Sequence, residues 1–257
     1  MGEKKVIILN TDHFKSCFAK WGDFADMAIK MFEASRFDLP PVEYKVFCIC
    51  ENDFPSLEDL VSSEVLGVYI TGSAYDSFSN EVEWIIKFRQ FIAQFLAIEN
   101  HPPLVGVCFG HQIIAKSLGC DVGRNPDGFE GGITPITLAS EAIELGLFQE
   151  DADVMRTTLQ LSETHSDIVN EIPQGYTNIG STAKCSIQGL YCPKKVLTLQ
   201  GHPEFETDVT RICANLQLEK GNVTSEENKD MQNRCTSLSN EGLLVANSLW
   251  KLFYGAI

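Results

Sequence analysis

Residues 104–119 read Leu104-Val-Gly-Val-Cys108-Phe-Gly-His-Gln-Ile-Ile-Ala-Lys-Ser-Leu-Gly119. An apolar, strand-like run leads into Cys108, and a helical pattern begins at once and ends at Gly119. Gly106 and Gly110 flank the cysteine, so this stretch has the cysteine form of a nucleophile elbow, Gly-x-Cys-x-Gly. Such an elbow is a tight, strained turn from a strand into a helix. The stretch therefore predicts an α/β fold with Cys108 at the carboxyl edge of a sheet.

Cys108 is the candidate nucleophile for this elbow. The positive end of the following helix favours the thiolate, which is the reactive form of cysteine. The alternative is a structural cysteine buried at the end of a strand. The strand before the cysteine and the helix after it favour the catalytic interpretation.

Short apolar runs alternate with helical patterns through the first half of the chain, which predicts a parallel sheet with helices on both faces. The expected strands are Val6–Leu9, Tyr44–Cys50, Leu66–Ile70 and Leu104–Cys108. In the second half we expect loops over Gly119–Gly132 and Lys220–Ser239, and a last helix near Gly242–Phe253. No internal repeat or linker is evident, so we expect one domain over residues 1–257.

His202 is the best candidate among five histidines for the base that a cysteine nucleophile needs. It follows the buried strand Val196–Gln200, and active sites of α/β enzymes assemble where parallel strands end. Glu204 lies two residues further on, on the same side of an extended chain, where it could hold the imidazole in the required tautomer. His111 lies at the helix N-terminus after the elbow, so we expect it to be neutral and not the base.

Composition excludes several classes of function. The 257 residues include 20 Lys and Arg against 35 Asp and Glu, a net charge of −15. This charge disfavours nucleic acid and anionic membranes as partners. The chain shows neither a signal-peptide pattern nor a spanning segment, and its nine cysteines have no framework spacing, so we expect reduced thiols and a cytoplasmic location. Without a phosphate-binding loop or zinc-ligand spacing, we expect neither metal nor cofactor.

The elbow Gly106–Gln112 and the motif Gln200–Glu204 together resemble those of the class I glutamine amidotransferase family, in the right order along the chain. The resemblance implies that Cys108 is the nucleophile, His202 the base and Glu204 the residue that orients it. It also implies an oxyanion hole formed by backbone N–H groups and a site for the glutamyl group. The residues implied are Phe109 with Gly72 or Ser73 for the oxyanion hole, and Gln112 for the glutamyl group. Residues 164–167 stand where the family has a substrate-side loop, in which His165 either lines the substrate pocket or caps the loop.

The sequence departs from the family pattern at two positions. The oxyanion loop reads Gly72-Ser73-Ala74 where the family has Gly-Gly-Pro, so the donor in this loop is open. Gly201 stands before the histidine where the family has a bulky residue, so we expect extra room beside the nucleophile. No fused synthetase is expected. These features resemble the stand-alone GMP-synthase-like amidotransferase domains, which include the plant γ-glutamyl peptidases.

The combined prediction is a flavodoxin-like α/β domain that cleaves γ-glutamyl amide bonds through a Cys-His-Glu triad and a γ-glutamyl thioester. Its small-molecule substrate would be a γ-glutamyl peptide such as glutathione, hydrolysed without a partner. One alternative is a glutaminase subunit that supplies ammonia to a separate synthetase. Another is a catalytically silent binding or regulatory protein of the same fold. The sequence leaves open the leaving group, a synthetase partner and assembly into a homo-oligomer.

Overall fold

The computed structural model describes residues 4–149 and 155–257 of the chain. Twelve strands are present among these residues: β1 (Lys5–Asn10), β2 (Glu43–Cys48), β3 (Val65–Ile70), β4 (Leu104–Val107), β5 (Val122–Arg124), β6 (Glu130–Leu138), β7 (Thr158–His165), β8 (Asp167–Val169), β9 (Thr177–Asn178), β10 (Gly180–Ser181), β11 (Leu190–Cys192) and β12 (Val196–Leu199). The α-helices are α1 (Phe24–Ser35), α2 (Leu57–Leu60), α3 (Glu83–Leu96), α4 (Phe109–Ser117), α5 (Ser140–Glu144), α6 (Thr207–Glu219), α7 (Ser225–Ser237) and α8 (Gly242–Phe253). Within the described ranges, no helix combines the length and the apolar character needed to cross a membrane.

The central sheet has seven strands in the order β2-β1-β3-β4-β12-β11-β9. The first five pair in parallel, and β11 and β9 extend the sheet with antiparallel pairings. The parallel part has the 2-1-3-4-5 order of flavodoxin-like sheets. The expected mostly parallel α/β fold is therefore confirmed.

Helices cover both faces of this sheet. In β1, Val6 and Ile8 pack into one apolar cluster with side chains of α1 and α8. Ile7 and Leu9 point to the other face and pack with α3 and α4. Because successive side chains of a strand point to opposite faces, a continuous apolar run such as this one is what a strand buried on both sides requires.

The carboxyl ends of four neighbouring parallel strands meet at one edge of the sheet. They carry residues 11 and 12 after β1, residues 71–73 after β3, Cys108 after β4 and His202 just beyond β12. The topology alone thus brings four segments that are far apart in sequence to the same edge.

A smaller antiparallel sheet in the order β10-β6-β7, together with the pair β5-β8, lies beside the central sheet. The loop expected over Gly119–Gly132 is therefore wrong in part, because it contains β5 and the start of β6. The start of β6 was predicted as a loop because its glycines are typical of loops rather than of strands. A Cβ on Gly131 would lie 3.1 Å from Met231 Sδ, and one on Gly132 3.0 Å from Met231 Cα, so they allow α7 to pack closely on β6.

The loop expected over Lys220–Ser239 is also wrong, because most of it forms α7. Thr224 Oγ1 accepts a hydrogen bond from Glu227 N at 3.2 Å, and Glu227 Oε2 accepts from Thr224 N at 2.7 Å. This capping box was readable in the sequence. The helix was missed because only Met231 and Cys235 of this polar segment are buried, which gives almost no apolar periodicity.

Candidate active site

Cys108 occupies the turn between β4 and α4. Its φ of 50° and ψ of −105° lie in the left-handed region, where a non-glycine residue is strained by about 1–3 kcal/mol. The turn is held on both sides. Cys108 N donates to Leu199 O on the neighbouring strand at 2.8 Å, and Cys108 O accepts from Gln112 N at 3.0 Å in the first turn of the helix.

The two glycines of the elbow allow the helix to start against the sheet. A Cβ on Gly106 would lie 2.5 Å from the backbone carbonyl carbon of Gly110, and a Cβ on Gly110 would lie 2.6 Å from Ile70 O. Both distances are shorter than real Cβ contacts. Only glycine fits at either position without moving the backbone of the elbow.

His202 and Glu204 form a buried pair at the end of β12. His202 Nδ1 lies 2.7 Å from Glu204 Oε1, and both residues are at least 94% buried, His202 at 1% and Glu204 at 6% exposure. Because the carboxylate accepts from Nδ1–H, the other ring nitrogen, Nε2, is left for chemistry. Nε2 has no hydrogen-bond partner among the residues described.

The charge state of His202 is set by its neighbours. Burial alone would lower its pKa, but Glu204 and the nearby Cys108 outweigh burial and raise the pKa to about 10. Ring stacking and a backbone hydrogen bond also fix the position of the imidazole. Its ring stacks on Phe205 with centroids 4.1 Å apart, and His202 N donates to Ser162 O on β7 at 2.8 Å. Such an imidazolium stabilises a facing thiolate and can donate its proton.

Asn240 is a positioning residue that sequence analysis missed. Its Nδ2 donates to the backbone oxygens of His202 at 2.9 Å and of Phe205 at 2.8 Å. It reaches the turn from the segment before α8, some 38 residues along the chain. This one amide fixes the turn that presents the His202–Glu204 pair.

The segment Gly72–Ala74 lies against the imidazole of His202. A Cβ on Gly72 would be 2.5 Å from His202 Cε1, so only glycine allows this approach. The segment is clamped from β1, since Ser73 Oγ donates to Thr11 O at 2.7 Å and Ala74 N donates to Asp12 Oδ2 at 2.9 Å.

The backbone N–H groups predicted to form the oxyanion hole remain available. Within residues 4–149 and 155–257, those of Gly72, Ser73 and Phe109 donate no hydrogen bond to the protein. Ala74 N–H is already used by Asp12. The choice between Gly72 and Ser73 as the donor stays a prediction.

A cavity of about 130 Å³ opens beside Cys108 and His202. Beyond the predicted residues, its walls come from the loop after β1, from β7 and from α6, and they include Asp12, Lys15, Phe18, Phe24, Thr164, Cys213, Gln217 and Lys220. Sequence analysis missed these side chains because no local motif marks them. A larger groove of about 510 Å³ lies behind Glu204 and reaches neither Cys108 nor His202.

Comparison with known proteins identifies the family. The family model for class I glutamine amidotransferases matches residues 52–214, which include the elbow and the His202–Glu204 turn. The chain belongs to the class I glutamine amidotransferase family. It is 46% identical to a candidate glutamine amidotransferase of Saccharomyces cerevisiae over 98% of both chains. It is 30% identical to γ-glutamyl peptidase 2 of Arabidopsis thaliana over 65% of this chain and 64% of the peptidase.

Solved amidotransferase structures share the fold. A crystal structure of a glutamine amidotransferase from Thermotoga maritima superposes with a TM-score of 0.71 at 20% identity, over 98% of this chain and 99% of the other. One from Methylobacillus flagellatus gives a TM-score of 0.69, also at 20% identity, over 98% and 96%. At this identity the likeness establishes the fold alone.

In this family member, the two side chains that were candidates for substrate binding are buried and already hydrogen-bonded. Gln112 Nε2 donates to Asp167 O at 3.0 Å and to Gln200 Oε1 at 3.2 Å. His165 Nε2 lies 3.0 Å from Glu130 Oε2. Neither side chain lines the cavity beside Cys108, so their part in substrate binding stays a prediction.

Three of the described side chains, Glu130, His165 and Cys185, bring potential metal ligands within 4.8 Å of one another. Their polar atoms already bind protein groups. His165 Nδ1 lies 3.0 Å from Asp167 O, Glu130 Oε1 accepts from Thr182 Oγ1 at 2.7 Å, and burial raises the pKa of the Cys185 thiol. A protonated thiol is a poor metal ligand, so this cluster fits an internal hydrogen-bond network better than a metal site.

His111 is neutral, as expected, but for a different reason. Its pKa is lowered to about 3, chiefly by complete burial and then by the charge of His165. The helix N-terminus is not the main cause. Its Nδ1 lies 2.7 Å from Thr198 Oγ1 on β12, so His111 joins the helix to the sheet.

Gly201 does not open the cavity, which corrects the expectation of extra room beside the nucleophile. A Cβ on Gly201 would lie 2.3 Å from Glu163 Oε1 and 2.8 Å from Leu161 Cβ. The missing side chain therefore points toward β7, where the buried carboxylate of Glu163 fills the space. The glycine serves packing behind His202 and contributes no room for a leaving group.

We expect Gly201→Ala to lower the free energy of unfolding by about 1–3 kcal/mol, because its methyl group would overlap Glu163 and Leu161. Urea denaturation would measure the loss. Gly123→Ala is the matched control, since nothing lies within 4 Å of a Cβ there. In the Glu163→Ala background the loss should shrink, and equal losses in both backgrounds would contradict this packing.

Proposed function

We propose that this chain is a cysteine-dependent hydrolase of γ-glutamyl amide bonds and acts on γ-glutamyl peptides without a synthetase. The observation that carries the proposal is the buried His202–Glu204 pair, with Nδ1 and Oε1 2.7 Å apart, whose His202 lines one cavity together with the elbow cysteine. The arrangement supports Cys108 as nucleophile, His202 as acid and base, and Glu204 as the group that orients His202.

In the proposed reaction, Cys108 Sγ attacks the γ-carbonyl carbon, and the carbonyl oxygen takes up the negative charge. The N–H of Phe109, with that of Gly72 or Ser73, would bind this oxyanion. His202 Nε2 then donates its proton to the amide nitrogen as the C–N bond breaks. The amine departs and a γ-glutamyl thioester remains. Water attacks the thioester carbon, His202 takes its proton, and the C–S bond breaks to release glutamate and restore the Cys108 thiolate. The chemistry needs only side chains, backbone and water.

The lining of the cavity supports a leaving group larger than ammonia. Besides Cys108 and His202, the phenyl rings of Phe18 and Phe24 line this cavity of about 130 Å³. A side chain of a peptide leaving group could contact these apolar surfaces, and ammonia could not. The similarity to plant γ-glutamyl peptidases supports the same substrate class. All nine cysteines are free thiols, which supports action in a reducing compartment such as the cytosol.

The competing function is a glutaminase subunit for a separate synthetase. Its support is a 32% identity to a Chlamydia muridarum GMP synthase over 62% of this chain, a match that spans 28% of that enzyme. In that role the cavity would deliver ammonia only. The third candidate function is the catalytically silent binding protein, which would hydrolyse no γ-glutamyl substrate.

We expect kcat/KM for a γ-glutamyl dipeptide to exceed that for glutamine by about tenfold or more, because the extra residue gains contacts in the cavity. Release of glutamate by the purified chain would measure both, with Cys108→Ser as the blank. Faster hydrolysis of glutamine, or activity only after a synthetase is added, would support the subunit instead. If no γ-glutamyl amide releases glutamate, the catalytically silent binding protein would be the function that remains.

A further inference from the structure

We propose that Lys15 and Lys220 bind the terminal carboxylate of the leaving group, so that the preferred substrates are γ-glutamyl peptides with an anionic leaving amine. This inference rests on the proposed hydrolase function and names its substrate class. It assigns a binding role to two side chains that lie outside the predicted triad.

The two lysines come from different segments of the chain that line the same cavity. Lys15 belongs to the loop after β1, and Lys220 caps the C-terminal end of α6. Both line the cavity that contains Cys108 and His202. In a chain of net charge −15, two cations at one cavity mark a place where an anion would be held.

Lys15 is held in position. Its ammonium pairs with the carboxylate of Asp12, which is 6% exposed and is itself anchored by Ala74 N at 2.9 Å. The same ammonium lies 5.1 Å from the centroid of the Phe24 ring, and that ring lies 6.0 Å from the imidazole of His202. The Phe24 ring therefore lies between the Lys15 ammonium and the His202 imidazole, the group that would protonate the leaving amine.

Lys220 carries the charge that is free for a ligand. Within the part of the chain that the structure describes, its ammonium forms no ion pair or hydrogen bond, and the residue is exposed. Gln217, one helical turn earlier, uses its Oε1 to accept from Asn222 Nδ2 at 2.7 Å, which leaves its own amide N–H groups as donors. Because Asp12 offsets Lys15, the charged side chains of the cavity other than the catalytic pair, Asp12, Lys15 and Lys220, sum to one positive charge.

The shape of the cavity fits a short peptide rather than ammonia. Phe18, Phe24 and Phe205 form an apolar wall for a side chain of the leaving group. An extended dipeptide places its carboxylate about 7 Å beyond the scissile nitrogen, so the lysines that bind it would lie beyond the reacting atoms. The leaving group of glutamine is ammonia, which has no carboxylate to offer these lysines.

The decisive substrates are γ-glutamyl-cysteinyl-glycine and the same peptide with its C-terminal carboxylate converted to an amide. We expect kcat/KM of the acid to exceed that of the amide by about tenfold, mainly through KM, because the exposed Lys220 and the half-buried Lys15 each add a few-fold. The ratio should fall as the salt concentration rises, since exposed charges are screened.

Variants assign the preference to the proposed residues. Lys220→Met should reduce the ratio of acid to amide several-fold, Lys220→Arg should retain it, and Lys15→Met should reduce it further when combined with Lys220→Met. Lys229→Met is the matched control, because Lys229 is an exposed lysine on α7 away from the cavity. Equal kcat/KM for acid and amide in the wild-type chain would overturn the inference and leave the hydrolase function intact. Hydrolysis of neither peptide would overturn both.

Discussion

Cys108→Ser is expected to reduce kcat for γ-glutamyl amide hydrolysis by about 10⁴-fold or more, to the level of the uncatalysed blank. Removing the nucleophile of a catalytic triad has effects of this size or larger. A serine hydroxyl keeps the position but does not ionise at neutral pH, so the His202 imidazolium has no anion to stabilise. Glutamate release with excess enzyme would measure the residual rate.

Chemical labelling would test the same assignment without a variant. A glutamine analogue with an electrophilic carbon should modify Cys108 first, and peptide mapping by mass spectrometry would locate the label. Cys213 lines the same cavity, but burial raises its pKa to about 12, so it should remain a protonated thiol and react slowly. Cys17 is the internal control, because it is exposed and lies outside the cavity lining. Labelling of Cys17 or Cys235 with Cys108 unmodified would show that the nucleophile is misassigned.

Glu204→Gln is expected to fold normally and to lose about 10²–10³-fold in kcat. Loss of the orienting carboxylate costs about 10⁴-fold in a serine protease, and a thiol nucleophile, which ionises more easily, should suffer less. The amide can present either oxygen or NH₂ to His202 Nδ1, so part of the population would hold the imidazole in the wrong tautomer. Steady-state kinetics together with a thermal melt would separate catalysis from folding.

The pH profile gives Glu204 a signature that a purely structural role would not produce. With its pKa at about 10, His202 carries its proton below that pH, so kcat/KM should persist to alkaline pH and fall above about 10. Glu204 is the largest influence raising this pKa, and burial opposes it. In Glu204→Gln the alkaline limb should therefore move to lower pH.

The free energy of unfolding should also change with the titration of His202. A histidine whose pKa rises from 6.5 to about 10 on folding adds stability that is fully present below pH 6.5 and is lost as the pH rises through about 10. Tyr69→Phe is the control, since it removes only a 3.4 Å hydrogen bond from the tyrosine hydroxyl to Glu204 Oε2. A profile unchanged in Glu204→Gln would mean that the carboxylate does not act on His202.

The parts of the site that could be predicted from the sequence are those whose partners are close along the chain. His202 and Glu204 are two residues apart, and their contact at 2.7 Å follows from an extended turn after a strand. The glycines that permit the elbow lie within two residues of Cys108. The parallel sheet was predictable for a similar reason, since strands buried on both faces have continuous apolar runs.

Tertiary structure decided the features whose partners are distant in sequence. Arg234 on α7 donates to Gly131 O at 2.7 Å across 103 residues, and contacts of this kind place a polar helix that has almost no apolar pattern. The sequence predicted that Gly201 leaves room beside the nucleophile, but the side chain of Glu163, a residue on another sheet, fills the space next to this glycine. Lys15 and Lys220 lie 205 residues apart and line one cavity because the loop after β1 and helix α6, which follows β12, both border it. Sequence by itself determined which groups are the candidates for the chemistry, because motif spacing is local. Only the fold determined what surrounds them, because cavity walls and close packing depend on which distant segments the sheet order brings together.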